Sequence, residues 1–250
     1  MKRYALIKSA VLAGSALFAG FASAGDDPAP AAPSSDLDVN FGVGYTNEYV
    51  FRGVNRGDDL FEASIGVSGS GSALGLEDLN LSAGLQLLTW GGTRDLITRQ
   101  TSHGLTPKEM RINMEASKCL GSFAVAVGVT NYSYFGSSTV ADNLEPYVAL
   151  STEMAGLNVG ISVHDTEDAA DPYIAITAGR SVDLGGLGLS VEGVIGTVNE
   201  FDDTFYGVSV GLPISASDSI TVTPHVSAIF GDTASDDDEF TAGVNLSFGF

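Results

Sequence analysis

The sequence predicts an all-β chain folded as a transmembrane antiparallel up-and-down β-barrel of about twelve strands, preceded by a cleaved signal peptide. Three observations carry that expectation. After residue 36, apolar residues recur at every second position along nearly the whole chain, which is strand periodicity and not the repeat of a helix. The links between these segments alternate between longer and shorter, as in barrels with short periplasmic turns and longer outer loops. Aromatic residues gather near both ends of the segments, where interfacial girdles lie.

The first residues read as an address. Lys2, Arg3 and Lys8 make the start of the apolar stretch positive, and Ala22, Ser23 and Ala24 are the small residues a signal peptidase reads. Residues 1–24 are therefore expected to be a signal peptide. Residues 25–36, GDDPAPAAPSSD, have no periodicity and are expected to form a disordered periplasmic leader, leaving residues 37–250 for one barrel. Without residues 1–24 the chain keeps eight basic residues against 31 acidic ones, a net charge of −23. Such a chain repels nucleic acid. Cys119 is the single cysteine, so no internal disulfide forms.

In the first segment Leu37, Val39, Phe41, Val43, Tyr45, Tyr49 and Phe51 share one face, opposite Asp38, Asn40, Thr46, Glu48 and Arg52. The next four apolar faces begin at Phe61, Leu79, Met110 and Phe123. Residues 145–152 and 172–180 alternate too weakly for a facing to be assigned. Leu157, Val159, Ile161 and Val163 oppose Asn158, Gly160, Ser162 and His164; Leu187, Leu189 and Val191 oppose Gly188, Ser190 and Glu192. Tyr206, Val208, Val210 and Leu212 follow, then Ile220, Val222, Val226 and Ala228 opposite Thr221, Thr223, His225 and Ser227. The last segment, FTAGVNLSFGF, alternates to the final residue. Outer loops are expected at GVNRGDD, GGTRDLITRQTSHGLTPK, FGSSTVADN, DTEDAAD, NEFDD and GDTASDDD.

Periodicity alone does not separate a soluble sandwich from a membrane barrel. The girdle does: Tyr49, Phe51, Trp90, Tyr132, Tyr134, Phe205, Tyr206, Phe230 and Phe240 adjoin the longer loops, and Phe41, Phe123, Phe248 and Phe250 the shorter turns. The apolar faces are nearly free of charge. The opposite faces are rich in Gly and Ser, which suits a polar, hydrated lumen. Closure also leaves no strand edge unpaired in lipid, and the outer membrane is the expected location.

The opening stretch, with Asn47, Tyr49, Phe51, Arg52 and Gly53 in NEYVFRG, resembles that of the TorF-like putative porin family, conserved bacterial proteins of unknown function. LEPYVALS and AGLNVGISVH are similar to later segments of that family. Thr46-Asn47 stands where the family usually has Ser-Asp, and TRDLITRQTSHGLTPKEM lengthens the second outer loop. The resemblance implies a channel-like outer-membrane protein.

The charges expected in the lumen are the candidate site: Glu48, Arg52, Glu62, Glu109, Arg111, Asn113, Glu115, Glu192 and His225. Rings of charge set ion preference in a pore; the same groups also pair across strands and narrow it. Arg52 is alternatively a loop anchor that binds carboxylates or carbonyls. The function implied is a porin-like channel for passive diffusion of small solutes or ions. The alternative is a non-conducting surface barrel whose acidic loops bind a partner or divalent cations, bridging to lipopolysaccharide. Catalysis finds little support: His103, His164 and His225 have no GxSxG elbow beside them. No metal or cofactor is expected from one Cys and three scattered His. Phe248 and Phe250, in a last strand that must pair with the first, are expected to be the signal read by the barrel-assembly machinery.

Overall fold

The computed structural model describes residues 37–76, 78–91, 108–135, 142–165, 172–185, 187–198, 203–232 and 238–250. The expected signal peptide, the leader and the greater part of the second outer loop lie outside them, as do most residues of the two acidic loops.

Antiparallel strands close on themselves. They are β1 (Asp38–Phe51), β2 (Val54–Ser70), β3 (Asn80–Gly91), β4 (Glu109–Leu120), β5 (Phe123–Tyr134), β6 (Asn143–Met154), β7 (Leu157–His164), β8 (Tyr173–Asp183), β9 (Gly188–Val198), β10 (Asp203–Gly211), β11 (Ile214–Ser217), β12 (Ile220–Asp232) and β13 (Glu239–Gly249). Each pairs with its chain neighbour except β10 and β11, and β1 pairs with β13. β10 and β11 are one course broken at Leu212–Pro213, and both pair with β12. Proline cannot donate to a ladder, and the break leaves twelve strand positions. The seam runs from Asn40↔Gly249 to Thr46↔Gly243, and Phe250 N–H donates to the Val39 carbonyl at 2.9 Å. By the rule for such barrels the termini lie at the periplasmic end.

Alternation sends the two parities to different solvents. Ile65, Val127, Val148, Ile161, Ile176, Val208 and Val226 are exposed on the outside, an apolar surface that only lipid covers at low cost. Residues 145–152 and 172–180, unassigned from the sequence, take the same pattern: Glu145, Tyr147, Tyr173 and Ala175 are buried while Val148 and Ile176 are exposed. Several large lumen side chains lie over the glycine directly across the ladder. A Cβ on Gly128 would run into the Tyr147 ring, one on Gly196 into the Phe205 ring, and one on Gly243 into His225. The glycines expected to hollow the lumen therefore also seat its largest groups.

The first outer loop departs from expectation. GVNRGDD is not a loop: Val54 already pairs with Phe51, and only Arg52 and Gly53 turn the chain, at φ 53° and 79°. Two successive left-handed residues are the geometry of a tight two-residue hairpin. Pairing of β1 with β13 ends at Thr46, and the Asn47 side-chain oxygen accepts the Ala242 N–H at 2.6 Å just beyond. The β1–β2 register shifts between Tyr49 and Val50, and the β2–β3 register between Asp58 and Phe61, with Asp59 at φ 53°. Such bulges bend a strand and re-aim its side chains. Here they turn the hairpin into the lumen.

Candidate functional site

The hairpin tip crosses the bore. Twelve strands about 4.8 Å apart, tilted as in other barrels, enclose a backbone cylinder about 24 Å wide, within reach of a folded ribbon. Val50 packs with Tyr173, Ala175, Val194, Phe205 and Ile229 from β8, β9, β10 and β12. On the other side Tyr49 and Phe51 pack with Leu60, Leu88, Trp90 and Tyr132. Arg52 reaches furthest: its Nη2 donates to Glu145 Oε1 on β6 at 2.7 Å, and its Cζ lies 4.0 Å from the ring centre of Tyr173 on β8. Both strands stand five positions from β1 around the barrel, so the guanidinium touches the opposite wall.

That wall is bonded from behind. Glu145 Oε1 also accepts from the Tyr132 hydroxyl at 3.3 Å and lies 3.3 Å from His164 Nδ1. His164, 0% exposed, stacks on Tyr147 and sits 5.4 Å from the Tyr173 ring. The Tyr147 hydroxyl donates to Glu115 Oε2 at 2.7 Å. On the near side Arg111 Nε donates to Glu109 Oε1 at 2.5 Å, and Arg111 Nη2 donates to the Tyr49 hydroxyl. Buried charges persist when paired and hydrogen-bonded, and these two pairs fix the hairpin to both sides of the lumen.

Of the residues singled out from the sequence, Arg52, Arg111, Asn113 and Glu115 lie in this network, Asn113 donating to Thr130 Oγ1 at 3.1 Å and to the Tyr147 hydroxyl at 3.3 Å. Glu48 accepts from Asn55 Nδ2 at 3.4 Å, and Glu62 from Gln86 Nε2 at 3.0 Å. Glu192 faces the lumen between Gly179 and Ser209, away from the hairpin contacts, and His225 Nε2 lies 3.5 Å from Thr46 Oγ1 at the seam. Phe248 pairs with Phe41, and Phe250 ends the seam.

Part of the expected outer girdle is overturned. Tyr49, Phe51, Trp90, Tyr132 and Phe205 are buried in the lumen, and Tyr134 packs against them; Tyr206, Phe230 and Phe240 are exposed outside as expected. The apolar parity of β1 stops at Tyr45, because the bulged hairpin turns Tyr49 and Phe51 inward. Glu145 and Tyr147 were not singled out from the sequence, although Glu145-Pro146-Tyr147 alternates a carboxylate and a ring on one parity. Ser162 Oγ lies 3.0 Å from His164 Nε2, which with Glu145 gives the connectivity of a serine–histidine–acid relay. Ser162 is 2% exposed and Arg52 holds the carboxylate, so in this arrangement the three brace the wall.

A family model described as a bacterial protein of unknown function, Gcw_chp, matches residues 30–248. No curated protein matches the sequence. Among solved structures, the fold is similar to an active-site mutant of outer membrane phospholipase A from Escherichia coli, with 14% identity, a TM-score of 0.51, and coverage of 90% of this chain and 94% of that one. The KdgM porin matches with 10% identity and a TM-score of 0.48 over 85% of this chain and 99% of that one. The NanC porin matches with 14% identity and the same TM-score and coverage. The chain is an outer-membrane β-barrel.

Proposed function

The chain belongs to the Gcw_chp family of bacterial proteins of unknown function, and we propose that it works as a porin-like outer-membrane channel for small solutes or ions, throttled by its own first hairpin. The observation that carries this reading is a lumen in two parts. The outer part is crossed by Val50, Phe51, Arg52 and Gly53 and packed with rings. Toward the termini, lumen positions such as Ser64, Gly66, Ser82, Gly84 and Ser151 carry small side chains, among polar groups such as Glu62 and Gln86, so the lining below the hairpin is polar. The resemblance of NEYVFRG to TorF-like putative porins points the same way. Export by residues 1–24, a leader at residues 25–36, contact with lipopolysaccharide, and recognition of Phe248 and Phe250 by the assembly machinery belong to the same proposal.

A second reading is a non-conducting surface barrel. It is favoured by the depth of burial in the outer lumen, where Trp90 is 1% exposed. Planar bilayers separate the two. The channel reading predicts small, brief conductance steps for the natural chain and larger, longer ones for Arg52→Ala, which frees the hairpin. No steps from either protein at any voltage would give the second reading the field.

A further inference from the structure

Three guanidinium groups surround one phenyl ring in the outer lumen. The Cζ atoms of Arg52, Arg56 and Arg111 lie 5.0, 5.1 and 4.8 Å from the Phe51 ring centre. Arg52 is neutralised by Glu145, and Arg111 by Glu109. Arg56 has no such carboxylate among the described residues, and its Nε is a buried donor with no hydrogen-bond partner. A ring face attracts a cation but supplies no counter-charge and accepts no strong hydrogen bond.

A second orphaned donor lies in the same cluster of rings, where Trp90 packs with Phe51, the ring that Arg56 covers. Trp90 Nε1 is buried without a partner. The residue after Arg56 is Gly57, which approaches the indole so closely that a Cβ there would lie 3.2 Å from Nε1. Lys108 Nζ adds a further positive charge 5.3 Å from the Trp90 ring. Buried donors are rarely left unmade, and two of them with an uncompensated charge describe a place for an anion.

We propose that Arg56 and Trp90 form a subsite for the carboxylate of a small organic acid. The planar guanidinium fork matches the two oxygens of a carboxylate better than a point charge does, and the indole N–H supplies a further donor. The surrounding rings meet the ligand's carbon skeleton. Arg56 is only half-buried, so its side chain is not sealed from solvent. The subsite stands whether or not the barrel conducts, and its readout needs no conduction.

Trp90 is the only tryptophan in the chain, so intrinsic fluorescence reports on the site directly. The refolded full-length barrel in detergent is titrated with sodium succinate, with succinamide, with sodium phosphate, and with sodium chloride at matched ionic strength. The expected result is a saturable emission change with succinate, none with succinamide or chloride, and weaker saturation with phosphate. Arg56→Gln, folded by the criterion of a heat-dependent gel shift, is expected to weaken succinate about tenfold or more. If that variant does not fold, Arg56→Lys, which keeps the charge and loses the fork, is expected to weaken it about threefold or more. The proposal falls if succinate gives no saturable change, if succinamide reproduces it, or if the folded variant titrates like the natural chain. Phosphate saturating at or below the succinate concentration overturns the carboxylate assignment.

Discussion

Arg52→Ala should release the hairpin tip from the wall it reaches. The Arg52–Glu145 pair closes at 2.7 Å, with side-chain exposures of 14% and 1%. Removing one partner of such a pair costs about 3–5 kcal/mol when both are fully buried. The partial exposure of Arg52 argues for the lower end, although the stacking at 4.0 Å on Tyr173 is lost as well. The left-handed backbone at position 52, φ 53°, costs about 1 kcal/mol for either residue and cancels. A net loss of about 3 kcal/mol moves the docking equilibrium by about a hundredfold, at 1.4 kcal/mol per factor of ten. Amide hydrogen exchange in detergent reads this directly. Peptides covering residues 48–58 should exchange about a hundredfold faster in the variant, while peptides from β7, β9 and β13 keep their protection. Unchanged exchange at residues 48–58 would mean that the ion pair does not hold the hairpin.

Three further outcomes follow from the packing. Gly128→Val forces a side chain into the Tyr147 ring and should lower barrel stability by about 1–3 kcal/mol, read as a lower temperature for loss of the gel shift; Gly249→Ala, with nothing near its Cβ position, should leave that temperature unchanged. Ile161→Arg places a charge on an outward position that is 43% exposed and should cost about 2–4 kcal/mol if that position lies near the bilayer midplane, measured by urea unfolding in lipid vesicles. Deleting Phe248–Phe250 removes the Val39–Phe250 hydrogen bonds and the Phe41–Phe248 pair and should abolish the heat-modifiable form, whereas deleting residues 25–34 should preserve it.

Much of the barrel was legible because lipid and lumen impose opposite chemistry on successive residues. Period-two runs such as Leu157–Val163 and Phe240–Phe250 gave strand, facing and the closing seam. The weak runs at 145–152 and 172–180 lost contrast because both faces carry large groups there: Tyr147 and Tyr173 fill the lumen while Val148 and Ile176 meet lipid. Five rings of the expected girdle were misplaced, three of them for a reason visible in the sequence. Trp90 shares the parity of Gly84 and Gln86, Tyr132 that of Gly128 and Thr130, and Phe205 that of Gly207 and Ser209, so parity already assigned these three to the lumen. Tyr49 and Phe51 are different. They share the parity of the outward Phe41 and Val43, and only the register shifts at Tyr49/Val50 and Asp58/Phe61 turn them inward. Bulges are properties of pairing between strands, which one strand's periodicity does not record.

Insertion of the first hairpin into the barrel is tested most directly by proton–proton contacts at Gly53 in the isotope-labelled protein. Phe205 lies so near that a Cβ on Gly53 would sit 2.8 Å from its Cβ and Cγ, although β10 stands three positions from β1 around the barrel. Strong nuclear Overhauser contacts from the Gly53 α-protons to the Phe205 ring, with a slowly exchanging Val50 amide, are the predicted result. Gly53 protons that contact only water and residues of β1 and β2 would place the hairpin outside the barrel and contradict the occluded lumen.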